Sequence, residues 1–354
     1  MAPTMKAAVV EKPGVLAIKQ VPVPQIAEDE VLIKVKYTGI CGTDWSIFTG
    51  KYSADKLPLI PGHEFSGTVA QVGKKAKGLK EGDRVTADIN MSCGICFYCR
   101  KGQKLMCREF HQLGIHVDGA YAEYVKAPFD QVHRLPDDLD FLAGAFVEPV
   151  SCVIHSSKAA RVTHGSSVAI LGAGLGVLHG ALARQRGAAP VIVIGRNPKK
   201  LAVAREMGAD VTISINEVKD PVAEVKKLTE GRGADFVVEA VGTPRTYEQA
   251  FEMVRPGGTV VAFGICAGED TIKIRPFDLV LGEKSVASSC AGVGPDWPDA
   301  IALLAHGHIK PQPMFSMIVP LEELEAALRE LRTDARLMKV FVSSEISKRQ
   351  ILSK

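Results

Sequence analysis

The sequence predicts an α/β protein of two domains: a β-rich first domain with barrel-like character, and a second domain on a doubly wound parallel sheet. Three observations predict it. The 354 residues are 46% hydrophobic, enough chain for about two cores. Residues 5–150 hold only short β-branched and apolar runs cut by Pro and Gly. From Ser167 to Gly264, short apolar runs alternate with amphipathic stretches, and that rhythm belongs to strand–helix–strand units.

In the first domain, Lys6–Val10, Val15–Gln20, Val31–Tyr37, Gly67–Val72 and Arg84–Ala87 read as strands. No helical period of useful length precedes about Leu139. In the second, Val168–Leu171, Val191–Ile194, Val211–Ile215, Phe236–Glu239 and Val260–Phe263 read as strands. Leu175–Arg186, Pro198–Met207, Pro221–Thr229 and Pro244–Val254 read as helices. Proline opens three of these, where its missing N–H costs little. After about Ser285 the pattern is irregular, with helices at Trp297–His306 and Leu321–Leu331 and a strand at Lys339–Val342. This tail is expected to return to the first domain, giving residues 1–151 with 287–354 as one domain and 152–286 as the other. Lys348 to Lys354 reads as a charged, loosely held end.

Lys+Arg 43 against Asp+Glu 40 leaves a net charge of +3, which gives nucleic acid no electrostatic hold. No stretch approaches ~18 apolar residues, so no membrane span is expected. The start shows no apolar signal region, which suggests a cytoplasmic protein. In that reducing compartment, clustered cysteines point to metal before disulfides.

Two clusters have metal chemistry. Cys41, His63 and Glu64 are ligand types zinc accepts, set among Gly and Pro, and a catalytic zinc takes about three protein ligands with one position open. Cys93, Cys96, Cys99 and Cys107 have the spacing C-x2-C-x2-C-x7-C. Four soft ligands close a tetrahedron, so this site is read as structural zinc, with an iron–sulfur cluster as the alternative.

The run Leu171-Gly172-Ala173-Gly174-Leu175-Gly176 follows a strand and opens a helix, the context of a pyrophosphate-binding turn. Its third glycine arrives one residue early, with Val177 where a full G-x-G-x-x-G would place it. An acidic residue about 20 positions on would bind the ribose hydroxyls of NAD. The sequence has Gly195 and Arg196 instead, with Lys200 beyond. A guanidinium fits a 2′-phosphate, so NADP(H) is expected over NAD(H).

Cys41-Gly42-Thr43-Asp44, Pro61-Gly62-His63-Glu64, the four-cysteine loop, Glu148-Pro149 and the glycine turn together resemble the zinc-dependent medium-chain alcohol dehydrogenases along almost the whole chain. Within them, Glu148-Pro149-Val150-Ser151 is most similar to the polyol branch, which includes sorbitol and threonine dehydrogenases. The resemblance implies a GroES-like catalytic domain, a Rossmann domain, two zinc ions per chain, a small alcohol or ketone substrate and a homodimer or homotetramer. It implies catalytic zinc on Cys41, His63 and Glu148, with Glu64 beside the metal or as an alternate ligand. It implies that Thr43 touches the substrate oxygen and that Ser46 could continue a proton relay. Two positions leave the sorbitol-type pattern. Ser46 stands where a relay histidine is frequent, and Gly292-Val293 where sorbitol-type enzymes carry Arg-Tyr. The substrate is therefore left open, with Trp45, Phe48, Phe110, His116 and Val293 as candidate pocket residues. The alternatives are an NADPH-dependent aldehyde reductase and a non-catalytic NADPH-binding protein.

Overall fold

The computed structural model describes residues 3–352. They form two compact units. The first comprises residues up to Pro149 with Val293–His306 and Met314 onward, the second Val150–Gly292 with Gly307–Pro313.

The first unit centres on a mixed sheet in which Glu30–Gly39 pairs with Glu64–Val72, Tyr124–Pro128 and Lys339–Ser343. The hairpin Thr4–Lys12/Val15–Pro22 lies outside this sheet. Its Ala7, Ala8 and Val10 pack with Ile40, Phe48, Tyr121, Val319, Leu324 and Val342 in one buried cluster. Burial of the larger of these side chains contributes roughly 1.5–3 kcal/mol each.

A helix does occur early, at Gly42–Phe48. It is too short for a period to show. It forms because Cys41 is extended at its N-cap and the Asp44 carboxylate accepts from the Cys41 backbone N–H at 2.8 Å, a reciprocal cap. Another unexpected helix spans Val147–Ala160. Pro149 is tolerated in its first turn, where no intrahelical donor is lost. The chain end is also held: Gln350–Ile351 pairs with Phe315–Pro320, and Arg349 bridges Glu323 and Glu330. The charges of that segment thus anchor it, contrary to the loose end expected; Ser353 and Lys354 lie outside the described residues.

The second unit is a six-stranded parallel sheet in the order Val211–Ser214, Val191–Gly195, Val168–Leu171, Ala234–Glu239, Val254–Ala262, Ser285–Ser288. The sixth strand leaves little trace in the sequence, because two of its four residues are serines and three are exposed. Parallel pairing buries both faces of the central strands, so Val191–Gly195 is buried throughout. The helices between strands begin where Asn197, Asp220 and Thr243 accept from backbone N–H groups, each followed by Pro. Such a cap contributes about 1 kcal/mol. The strand order reverses between Val168–Leu171 and Ala234–Glu239, the place where doubly wound sheets bind ligands.

Candidate active site

Cys41, His63 and Glu64 offer ligand atoms that lie within 4.8 Å of one another. Cys41 comes from the N-cap of the short helix, Glu64 from the first residue of a strand, and His63 from the turn before it. Gly62 makes that turn with φ +97°, and a side chain there would collide with the Tyr121 ring and backbone. His63 is 3% exposed, and its Nδ1 faces Asp44 Oδ1 at 3.4 Å. Burial pushes the imidazole pKa down, but Asp44 and the Cys41 thiol outweigh it and hold His63 well above its usual value. A carboxylate on one ring nitrogen directs the other toward a metal. A half-buried sulfur, converging with a buried imidazole and a buried carboxylate, fits zinc.

Glu64 is also paired. Lys339 reaches its carboxylate and donates to the Ile40 carbonyl at 3.1 Å. Burial works against the ammonium charge, yet Glu64, Cys41 and Glu148 together raise the Lys339 pKa. Glu148 is outside the close trio. It is buried in the first turn of the helix Val147–Ala160, near enough for its charge to act on Lys339. The Thr43 hydroxyl is 3.7 Å from the Cys41 sulfur, and Ser46 Oγ donates to the Gly42 carbonyl at 3.4 Å. Spaced three apart, Thr43 and Ser46 share a helix face.

Of the aromatic residues considered for the pocket, Phe48 serves the core and Trp45 is half-buried beside it. Phe48 is 1% exposed within the hairpin cluster, and Trp45 packs against it. Phe110 and Tyr52 flank the His116 ring, at 6.2 and 6.1 Å between centroids.

Cys93, Cys96, Cys99 and Cys107 also converge within 4.8 Å, and none is in a disulfide. The backbone of Cys99 draws the Cys96 thiol down to about 6, toward the thiolate a metal requires. Ile95, Phe97 and Met106 of this lobe are exposed. The lobe therefore lacks a core of its own, which a closed metal site would replace. Lys104 fastens it to buried Asp88 at 2.6 Å.

In the second unit the shortened glycine turn keeps three distinct roles. Gly172 bends at φ +109° against the Ala240 carbonyl, Gly174 faces open space, and Gly176 begins the helix against Ile170. The helix starts at Gly176, after Leu175. Gly195 ends the second strand, where a Cβ would meet Ala173 at 2.8 Å. Arg196 is exposed and its carbonyl accepts from Asn216. Lys200 is in the first turn of the next helix, where its N–H is capped by Asn197.

Residues 27–137 match the alcohol dehydrogenase GroES-like domain and residues 174–306 the zinc-binding dehydrogenase domain. Sorbitol dehydrogenase of Bacillus subtilis (strain 168) is 34% identical over 96% of this chain and 97% of its own. The chain belongs to the zinc-dependent medium-chain alcohol dehydrogenases. An alcohol dehydrogenase of Geobacillus stearothermophilus is 40% identical over 91% of this chain and 93% of its own. A solved zinc-binding dehydrogenase of Sinorhizobium meliloti 1021 bound to NADP superposes with a TM-score of 0.90 at 34% identity, covering 96% of this chain and 99% of that one. Sorbitol, threonine and arabitol-phosphate dehydrogenases among the relatives place this medium-chain dehydrogenase in the polyol branch. Among its described residues no helix is long and apolar enough to cross a membrane.

Asp44, Lys339 and Tyr121 organise the trio, and no motif pointed to the last two. Lys339 opens a strand and Tyr121 precedes one, so each looks like an ordinary β residue in the sequence.

Proposed function

We propose that this medium-chain dehydrogenase transfers hydride between NADP(H) and a small polyol or other secondary alcohol, or the corresponding ketone. The single observation that carries the cofactor reading is the end of the second strand of the parallel sheet, where Gly195 and exposed Arg196 stand in place of an acid. The NADP held by the Sinorhizobium relative supports it. The polyol reading is supported by relatives named for sorbitol and D-arabinitol.

In this reading Cys41, His63 and Glu148 hold one zinc ion and the four-cysteine loop a second. Pairing with Lys339 supports Glu64 as a charge beside the metal rather than a ligand. Bound there, zinc would supply a Lewis acid for the substrate oxygen, and the nicotinamide would supply the hydride chemistry. Thr43 positions the substrate hydroxyl and accepts its proton while giving up its own to the next member of the relay. Ser46, whose Oγ otherwise donates to the Gly42 carbonyl, or a water beside it, would finish that relay. The glycine turn places backbone N–H groups at the pyrophosphate.

The test is kcat/KM with NADP and NAD across a panel of small polyols, amino alcohols and simple secondary alcohols. NADP is expected to win, and Arg196→Asp to reverse the preference by roughly 10-fold or more, since a lost bidentate charge contact costs about 1.5–3 kcal/mol. Equal or better efficiency of the wild type with NAD removes the cofactor reading.

We further infer a homodimer through the edge of the parallel sheet that is free among the described residues. Ser285–Ser288 ends the sheet, with Val286 exposed. The adjoining helix Pro276–Leu281 exposes Phe277, Val280 and Leu281. An unpaired edge with apolar flanks invites antiparallel pairing with its own copy about a two-fold axis. Light scattering should give twice the chain mass, and Val286→Lys should lower it. A monomeric wild type contradicts this.

A further inference from the structure

We propose that Tyr121 is a positioning residue for the metal at Cys41 and His63, because it ties the two ligand-bearing turns to one another. The proposal rests on the reading of that trio as a zinc site. Tyr121 is 1% exposed, and its hydroxyl is 2.8 Å from Asp44 Oδ2 and 3.1 Å from the Gly39 carbonyl. Asp44 Oδ2 also accepts from the Cys41 N–H at 2.8 Å. With that oxygen held from two sides, the other carboxylate oxygen is left facing His63 Nδ1 at 3.4 Å. Neither that oxygen nor His63 Nδ1 has a hydrogen-bond partner among the described residues, so each is left to the other. The phenol thus fixes the plane of Asp44, and Asp44 fixes the ring and tautomer of His63.

The backbone of the same residue works on the second turn. Tyr121 N–H donates to the Pro61 carbonyl at 2.9 Å, and Ala120 N–H to the Gly62 carbonyl at 2.8 Å. The ring covers Gly62, where even a Cβ would come within 3.0 Å. Tyr121 therefore grips the Cys41 turn through its hydroxyl and the His63 turn through its backbone and ring. Phenylalanine keeps the ring and backbone contacts and deletes the hydroxyl alone.

The test is competition for zinc by a chromophoric chelator, run on wild type, Tyr121→Phe, Asp44→Asn and the double variant, with the four-cysteine site as internal standard. Tyr121→Phe should weaken the Cys41-site zinc by about 10–100-fold, the usual range for an outer partner of a ligand. The four-cysteine zinc should not change. In the Asp44→Asn background the same change should add nothing further, since the effect passes through that carboxylate. Unchanged zinc affinity in Tyr121→Phe overturns the proposal, as does a loss that adds fully to that of Asp44→Asn. A wild type holding zinc only in the cysteine loop overturns the zinc reading as well, so the two failures are distinguishable.

Discussion

Cys41→Ser should leave a folded protein whose dehydrogenase activity has fallen by about 10³-fold or more. A Lewis acid at the substrate oxygen is worth several kcal/mol of barrier, and each 1.36 kcal/mol is tenfold in rate. Serine keeps the size of the side chain and removes the soft sulfur. The fold should persist because Cys41 contributes to the helix Gly42–Phe48 mainly through its backbone, whose N–H bonds Asp44. Thermal unfolding and kcat, measured together, check this: full activity in Cys41→Ser refutes the role, and a collapsed fold shows that the sulfur was structural.

Lys339→Met should cost about 3–5 kcal/mol of stability, the usual result of leaving one member of a buried ion pair alone. Glu64 and Lys339 have side chains 3% and 8% exposed and pair directly. Methionine fills most of the space but offers no charge, so in the metal-free chain the Glu64 carboxylate must ionise unpaired or take up a proton. Glu64→Gln in the same chain should recover much of the loss, because the uncompensated charge is then gone. Denaturant midpoints of the two single variants and the double variant give the coupling. A Lys339→Met protein as stable as wild type would show that the pair contributes little.

The parallel sheet is legible because its central strands are buried on both faces and three of its helices open on Asn197, Asp220 or Thr243 followed by proline. The sixth strand, Ser285–Ser288, is not: it lies at an edge, and no apolar run marks it. The helix Gly42–Phe48 was missed because seven residues give no measurable period; its cap is formed by Cys41 and Asp44. The end Gln350–Ile351 looked loose because charges surround it, yet those charges are partners of Glu323 and Glu330.

The candidate site divides in the same way. Cys41, His63 and the four-cysteine loop carry their chemistry in residue type and spacing, and the structure brings each group together. The supports of the trio do not: Lys339 is 275 positions from Glu64, and Tyr121 is 77 from Asp44. Lysine and tyrosine opening or preceding a strand carry no mark of such partners. Glu148 was read from the resemblance alone, and it stands near the trio rather than in it.

The zinc content of the purified wild-type chain, measured by elemental mass spectrometry, tests the central claim most directly. Two zinc ions per chain are expected, one of them lost in Cys41→Ser and the other kept. One zinc per chain, unaffected by Cys41→Ser, would contradict a catalytic metal at Cys41 and His63.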